Sequence, residues 1–188
     1  MGELPDADRS LGEYDGFVIT GSRHDAHGDE RWLEDLRAYV RHLVKNRKRV
    51  LGICFGHQLV ANALGGASGR SEVGMQMGLR EVMPTDAMRR AWYASGLLDA
   101  PGSTYHVHQL HQDQVLRLPE SATLLASTPH TPVEVRHDEE LRSRGDHIRP
   151  RLDTCLTHEQ TYEYFSVPFE ILVPRSAVIN SRANELTT

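Results

Sequence analysis

A cysteine flanked by glycines constrains the fold of this chain more than any other feature. The motif Gly-Ile-Cys-Phe-Gly at residues 52–56 follows an apolar run at 50–53 and precedes a helical pattern that stops at the glycine pair 65–66. A nucleophile on a sharp strand-to-helix turn needs small neighbours, because its backbone is strained and chain and substrate approach closely. The segment therefore predicts a buried strand, an elbow carrying Cys54, and a helix.

Such an elbow would activate the sulfur of Cys54. The positive end of the helix dipole favours a thiolate, which is the reactive form of cysteine. The backbone N–H of Phe55 would point into the same pocket and serve as one oxyanion-hole donor. The competing interpretation is a buried cysteine that packs as a small hydrophobe. Both glycines and the strand–helix context favour the nucleophile.

The surrounding elements alternate between strand and helix. A short β-branched run at 16–20 predicts a buried parallel strand, and apolar residues at helical spacing between 32 and 44 predict an amphipathic helix. With the strand and helix around Cys54, this order is typical of an α/β protein with a parallel sheet. Further elements are predicted as strands at 77–83, 105–110, 122–126 and 133–135 and as a turn at 116–119.

Composition excludes several classes of protein. The 188 residues carry 21 basic and 26 acidic side chains, a formal charge of -5, which disfavours a nucleic-acid partner. No run is apolar enough for a membrane span, and the N-terminus lacks the pattern of a signal peptide. Two cysteines form no disulfide framework. We expect a single cytoplasmic domain over 1–188 with no membrane partner.

Several motifs resemble class I (triad-type) glutamine amidotransferase domains, and in particular the stand-alone branch of γ-glutamyl peptidase-like proteins. They are Gly-Ile-Cys-Phe-Gly-His-Gln at 52–58, the segment 14–22, and the segment 111–127. Shorter matches occur at 65–66, 69–70 and 77–80. The resemblance covers 2–134 and leaves 135–188 divergent. It implies a flavodoxin-like, three-layer fold with a parallel sheet.

The resemblance also implies roles for particular residues. Cys54 would attack the γ-carbonyl of glutamine or of a γ-glutamyl amide. The amides of Ser22 and Phe55 would form the oxyanion hole, although the family usually has glycine where Ser22 stands. The substrate would be held by residues of three segments, namely Gly21, Gln58, Leu110, Gln112 and Asp113.

The catalytic base is where the chain departs from the family. The family carries His-Pro-Glu after a late strand, and this tripeptide is absent here. One alignment makes His158 the base with Glu159 as its neighbour, and the other leaves the chain without a base. Adjacent side chains point in different directions, so Glu163 could replace Glu159 in orienting the ring. His147 is a weaker candidate for the base.

The front of the chain departs as well. The family has a strand and a helix before the position of Gly2, and this first strand would lie beside the strand at 16–20. Without it, a long apolar edge would be open to pairing and aggregation. Three explanations are compatible with the sequence: a longer natural protein, a second chain on that edge, or coverage by the altered C-terminal segment.

A histidine cluster raises the question of a metal. His106 and His108 alternate along a predicted strand and would face the same side, with His111 close by. No cysteine or acidic residue stands at a familiar ligand spacing, and His111 belongs to the family segment. We therefore expect no metal, and thioester chemistry on a cysteine needs no cofactor.

Taken together, the sequence predicts hydrolysis or transfer of a γ-glutamyl amide through a thioester on Cys54. The substrate would be a small molecule, glutamine or a γ-glutamyl compound, and the chain could form a homo-oligomer or serve an ammonia-accepting subunit. The alternative is a catalytically impaired relative that binds a ligand or partner, which the missing His-Pro-Glu favours. A redox-sensing protein on the same elbow is a third hypothesis, against which the match at Gln58 argues.

Overall fold

The computed structural model describes residues 4, 11–95, 105–138, 154–156, 176–180 and 185–187. Its strands and helices follow the predicted alternation through the first half of the chain. In chain order they are β1 (Gly16–Ile19), α1 (Arg31–Lys45), β2 (Arg49–Gly52), α2 (Phe55–Ala63), β3 (Ala67–Arg70), β4 (Gln76–Pro84), α3 (Asp86–Ser95), β5 (Tyr105–His111), β6 (Asp113–Arg117), β7 (Ala122–Ser127), β8 (Val135–Asp138), β9 (Thr154–Leu156), β10 (Ser176–Asn180) and β11 (Glu185–Thr187).

The sheet that carries the elbow is built around β1. Its four strands lie in the order β11-β10-β1-β2, and β1 pairs in parallel with both β2 and β10. All four residues of β1 are buried, as expected for a continuous apolar run at the centre of a sheet. Helices α1 and α2 share one apolar core with β1 and β2, in which Phe17, Leu36, Val40 and Leu59 are almost wholly buried. Each such side chain stabilises the fold by roughly 1.5–3 kcal/mol.

Strand β10, from the C-terminal part of the chain, covers the edge of β1 that the sequence analysis left open. Residues of β10 pair with β1 along its whole length, from Gly16 opposite Ser176 to Ile19 opposite Ile179. The backbone donors and acceptors of β1 are thereby engaged on both sides. Three explanations for this edge were compatible with the sequence, and the structure shows one of them, coverage by the C-terminal segment.

The remaining strands form antiparallel ladders. One sheet has the order β5-β4-β7-β8-β9, and β3 pairs with β6 as a separate ribbon. The α/β class is confirmed, and the parallel pairing among the described strands is that of β1 with β2 and β10. Two local predictions were wrong, because β6 runs through Arg117 where a turn was predicted, and the strand predicted at 133–135 begins only at Val135. Pairing with β3, far away in sequence, extends β6.

Within the described residues, no helix is both long and apolar enough to cross a membrane.

Candidate active site

Cys54 lies on a strained turn between β2 and α2. Its backbone has φ 52° and ψ −107°, a conformation that residues with a side chain rarely adopt. β2 ends at Gly52 and α2 begins at Phe55, so the turn between strand and helix is very short. Strain of this kind costs of order 1–3 kcal/mol and is concentrated at functional sites. The geometry is that of a nucleophile elbow.

The flanking glycines are required by close backbone contacts. A Cβ added at Gly56 would overlap the carbonyl oxygen of Ile19, and one added at Gly52 would lie 2.5 Å from the carbonyl oxygen of Gly56. Neither backbone can give way without moving β1 or α2. The sequence argument for small residues on both sides of Cys54 therefore has a direct structural cause.

Cys54 directly precedes the first turn of α2, where the leading backbone N–H groups have no partner within the helix. The Cys54 side chain is buried, with 9% of its surface exposed. The N–H of Gly56 donates to Ile53 O at 3.0 Å and that of Gln58 donates to Cys54 O at 3.1 Å. The N–H of Phe55 donates none of the backbone hydrogen bonds found among the described residues. An amide at a helix N-terminus that has no backbone acceptor among the described residues is suited to stabilise an anion.

The loop after β1, which carries Gly21 and Ser22, is held by both helices. Ala26 O accepts hydrogen bonds from Arg37 Nη2 on α1 and from Asn62 Nδ2 on α2, each at 2.8 Å. Within the loop, the Ser22 hydroxyl accepts a hydrogen bond from the backbone N–H of His24 at 3.2 Å. The loop is thus fixed against the same helix whose first turn follows Cys54.

The predicted substrate segment, residues 110–113 where β5 meets β6, is held by three hydrogen bonds to the carbonyl groups of Gln112 and Asp113. Gln58 Nε2 donates to Asp113 O at 2.8 Å, and His111 Nδ1 lies 3.1 Å from the same oxygen. The N–H of Ser71 donates to Gln112 O at 2.9 Å. The structure therefore joins Gln58, one turn after Cys54, to the predicted substrate segment.

Alternation along β5 separates the three histidines. His106, His108 and Leu110 lie on an exposed face, and the Leu110 side chain is 44% exposed. His111 lies on the opposite, buried face. His111 is therefore not brought together with the other two as a ligand set would require. The arrangement removes the geometric basis for a metal hypothesis at these residues.

A charged cluster that the sequence analysis missed lies beside the substrate segment. Ligand atoms of Asp25, His27 and Asp113 lie within 4.8 Å of one another. Arg70 Nη1 is 3.0 Å from an Asp113 carboxylate oxygen, and Arg70 Nη2 is 3.6 Å from Asp25. Burial raises the pKa of Asp113, the Arg70 guanidinium opposes that shift, and Asp25 adds to it. The Arg70 charge makes this an ion-pair network that links the loop after β1 to β3 and β6.

A second cluster missed from sequence lies under the first turn of α2. Arg136 on β8 is fully buried, and its Nη1 donates to His57 O at 3.0 Å. The same nitrogen is 3.0 Å from His57 Nδ1, while His57 Nε2 is 3.2 Å from Val133 O. No sequence pattern indicated this contact, since the two residues are 79 positions apart.

The predicted base lies outside the described residues. His158 and Glu159 belong to this part of the chain, as do the weaker candidates His147 and Glu163. The triad assignment is therefore still a prediction. The described part of the candidate site consists of the elbow, the loop after β1 and the predicted substrate segment.

Fold and site define an α/β protein with a cysteine on a nucleophile elbow, and comparison with known proteins assigns it to a family. The family model described as "Glutamine amidotransferase class-I" matches residues 4–143. This chain belongs to the class I glutamine amidotransferase family.

Similar curated proteins include two from Arabidopsis thaliana. Gamma-glutamyl peptidase 5 is 43% identical over 148 residues, which are 78% of this chain and 55% of that protein. Gamma-glutamyl peptidase 3 is 43% identical over 147 residues, 78% of this chain and 56% of that protein. The chain thus spans little more than half the length of these relatives.

A solved structure, the glutamine amido transferase from Methylobacillus flagellatus, supports the fold. It superimposes with a TM-score of 0.60 at 23% identity, covering 70% of this chain and 53% of that one.

Proposed function

We propose that this protein cleaves the γ-glutamyl amide of glutamine or of a γ-glutamyl peptide through a thioester on Cys54. The observation that carries the proposal is the backbone of Cys54, held at positive φ on the N-terminus of α2 between two glycines that admit no side chain. The names of the Arabidopsis relatives support the γ-glutamyl substrate class.

The reaction would proceed in two steps. The Cys54 thiolate adds to the γ-carbonyl carbon, and the resulting oxyanion is stabilised by the N–H groups of Phe55 and Ser22. The tetrahedral intermediate collapses by breaking the C–N bond, and the departing amine takes a proton from the catalytic acid. Water or an acceptor amine then attacks the thioester, releasing glutamate or a new γ-glutamyl amide and restoring the thiol.

His158 is the proposed base that removes the Cys54 proton and later returns it to the leaving amine, with Glu159 as its proposed partner. Comparison of His158→Ala with His147→Ala tests the assignment. Only the first substitution should abolish turnover, and loss with His147→Ala alone would move the base to that residue. Full turnover in both variants would contradict a histidine base at either position.

The substrate segment would bind the polar end of the glutamyl group. Asp113 O already faces two donors, Gln58 and His111, so both of its lone pairs are engaged. Among the described residues, Gln112 O accepts one backbone hydrogen bond, from Ser71, and we assign its second lone pair to the substrate. We assign contacts with the substrate's α-ammonium group to the carbonyls of Leu110 and Gln112. We assign contacts with its carboxylate to the loop after β1 that carries Gly21.

Hydrolysis assays on glutamine and γ-glutamyl dipeptides test the function. Cys54→Ala should reduce glutamate release to background, whereas Cys155→Ala, which removes the other cysteine, should retain the wild-type rate. Glutamate release that survives in Cys54→Ala would overturn the proposal. Ammonia released from glutamine by the purified chain alone would show that no acceptor subunit is needed, and its absence alongside peptide cleavage would favour the peptidase activity.

A further inference from the structure

The carbonyl oxygen of Asp113 receives two side-chain groups from different elements. Gln58 Nε2 reaches it from α2 at 2.8 Å, and His111 Nδ1 reaches it from the end of β5 at 3.1 Å. Both side chains are nearly inaccessible, with 4% and 5% of their surfaces exposed. Gln58 also donates its own backbone N–H to Cys54 O at 3.1 Å. One residue therefore contacts the elbow and the substrate segment.

The hydrogen bond to Asp113 determines the tautomer of His111. A carbonyl oxygen only accepts hydrogen bonds, so Nδ1 must carry a proton in this contact, and in the neutral ring Nε2 then holds a lone pair. Within the described residues, this buried Nε2 has no hydrogen-bond partner. Burying a polar atom without a partner is unfavourable. The Nδ1–H is therefore the one polar group of the ring that makes a stabilising contact in the described structure.

We propose that His111 is a positioning residue of the γ-glutamyl site and acts jointly with Gln58. By fixing the Asp113 carbonyl from two sides, the pair sets the position of the backbone at 110–112 relative to Cys54. The proposal rests on the proposed function, because it concerns the same substrate segment. It extends that function by assigning a role to His111, whose side chain would not touch the substrate.

This role differs from simple packing in a way that two variants can separate. Asn and Leu have nearly the same shape, but Asn places an N–H donor near the position of the histidine Nδ1. His111→Asn should preserve the bond to Asp113, and His111→Leu should remove it at similar volume. A packing role predicts the same behaviour for both variants, and a positioning role predicts rescue by Asn alone.

Two reagents distinguish substrate positioning from thiol reactivity. Iodoacetamide requires only an accessible Cys54 thiolate, whereas 6-diazo-5-oxonorleucine must also be held by its glutamyl end. We expect His111→Leu to slow labelling by the diazo analogue about tenfold, near the upper limit for loss of one neutral hydrogen bond. Iodoacetamide labelling should be unchanged, and His111→Asn should restore the diazo rate to within about threefold.

Equal diazo rates in His111→Leu and His111→Asn would overturn the proposal, as would parallel losses with both reagents. Gln58→Met supplies an independent test if His111→Leu fails to fold, because it removes the other donor to the same carbonyl. It should also slow the diazo reaction selectively, and an unchanged rate would contradict joint positioning. Wild-type protein that reacts with iodoacetamide but not with the diazo analogue would instead refute the proposed function.

Discussion

The elbow and the substrate segment are fixed by different kinds of interaction. At the elbow, the position of Cys54 follows from the main chain, namely a positive φ and a glycine at 56 that leaves no room for a Cβ. In the predicted substrate segment, the carbonyl of Asp113 is held by the side chains of Gln58 and His111. The position of Cys54 therefore depends on backbone sterics, and that of the predicted substrate segment depends on individual hydrogen bonds. Substitutions at the elbow should therefore lower the stability of the fold, whereas substitutions in the substrate segment should weaken binding of the glutamyl group.

The largest effect is expected at Gly56. Gly56→Ala places a Cβ against the carbonyl oxygen of Ile19, so that β1 and α2 cannot keep their spacing. We expect a loss of at least about 3 kcal/mol in the free energy of unfolding, measured by urea denaturation. Gly12→Ala is the matched control, because nothing lies within 4 Å of an added Cβ there. Equal stability in the two variants would contradict the steric account of the elbow.

Strain at Cys54 can be measured with two variants that both lack the sulfur. Cys54→Gly relieves the positive φ, and Cys54→Ala retains a Cβ in the same conformation. We expect the glycine variant to be more stable by about 1 kcal/mol, although glycine usually destabilises a folded chain. Both should be inactive. A more stable alanine variant would show that the turn is not strained.

The substrate segment should show a pH dependence through His111. Burial lowers its pKa below the ordinary histidine value, while the facing Glu134 and Asp113 charges oppose that shift. As pH falls below about 6.5, the unfolded chain takes up a proton that the folded chain does not, so stability falls until the folded pKa is reached. As pH falls from 7.5 to 5.5, the wild type should therefore lose more stability than His111→Asn. A constant difference would indicate that His111 titrates equally in both states.

The smallest effect is expected at Ser22, whose proposed role belongs to its backbone N–H. Ser22→Gly loses only the exposed hydroxyl contact with the His24 amide, so kcat/KM should stay within about threefold of wild type. Ser22→Pro removes the N–H itself and should lose most activity. Similar rates in the two variants would argue against an oxyanion donor at this position.

Sequence reasoning succeeded where the determinants are local. The strand at 16–20, the amphipathic helix and the turn at Cys54 are each dictated by residues a few positions apart, and all three are present. The contact between Arg136 and His57 and the bond from Gln58 to Asp113 join residues 79 and 55 positions apart. Patterns of hydropathy and spacing carry no information about such pairs.

The same limit applies to secondary structure at the edges of the fold. β3 has a Gly- and Ser-containing sequence that is weak as a strand and forms only because β6 pairs with it. β10 was considered only in general terms, as coverage of the β1 edge by the C-terminal segment. The base at His158 lies outside the described residues and is still a prediction.

The most direct test of the central claim is peptide-mapped mass spectrometry after incubation with 6-diazo-5-oxonorleucine, with and without competing glutamine. The account predicts an adduct on Cys54 that glutamine suppresses, with Cys155 in the same digest as the unreactive reference. An unmodified Cys54 in folded protein, or labelling that glutamine does not suppress, would contradict the claim that the elbow and the substrate segment form a γ-glutamyl site.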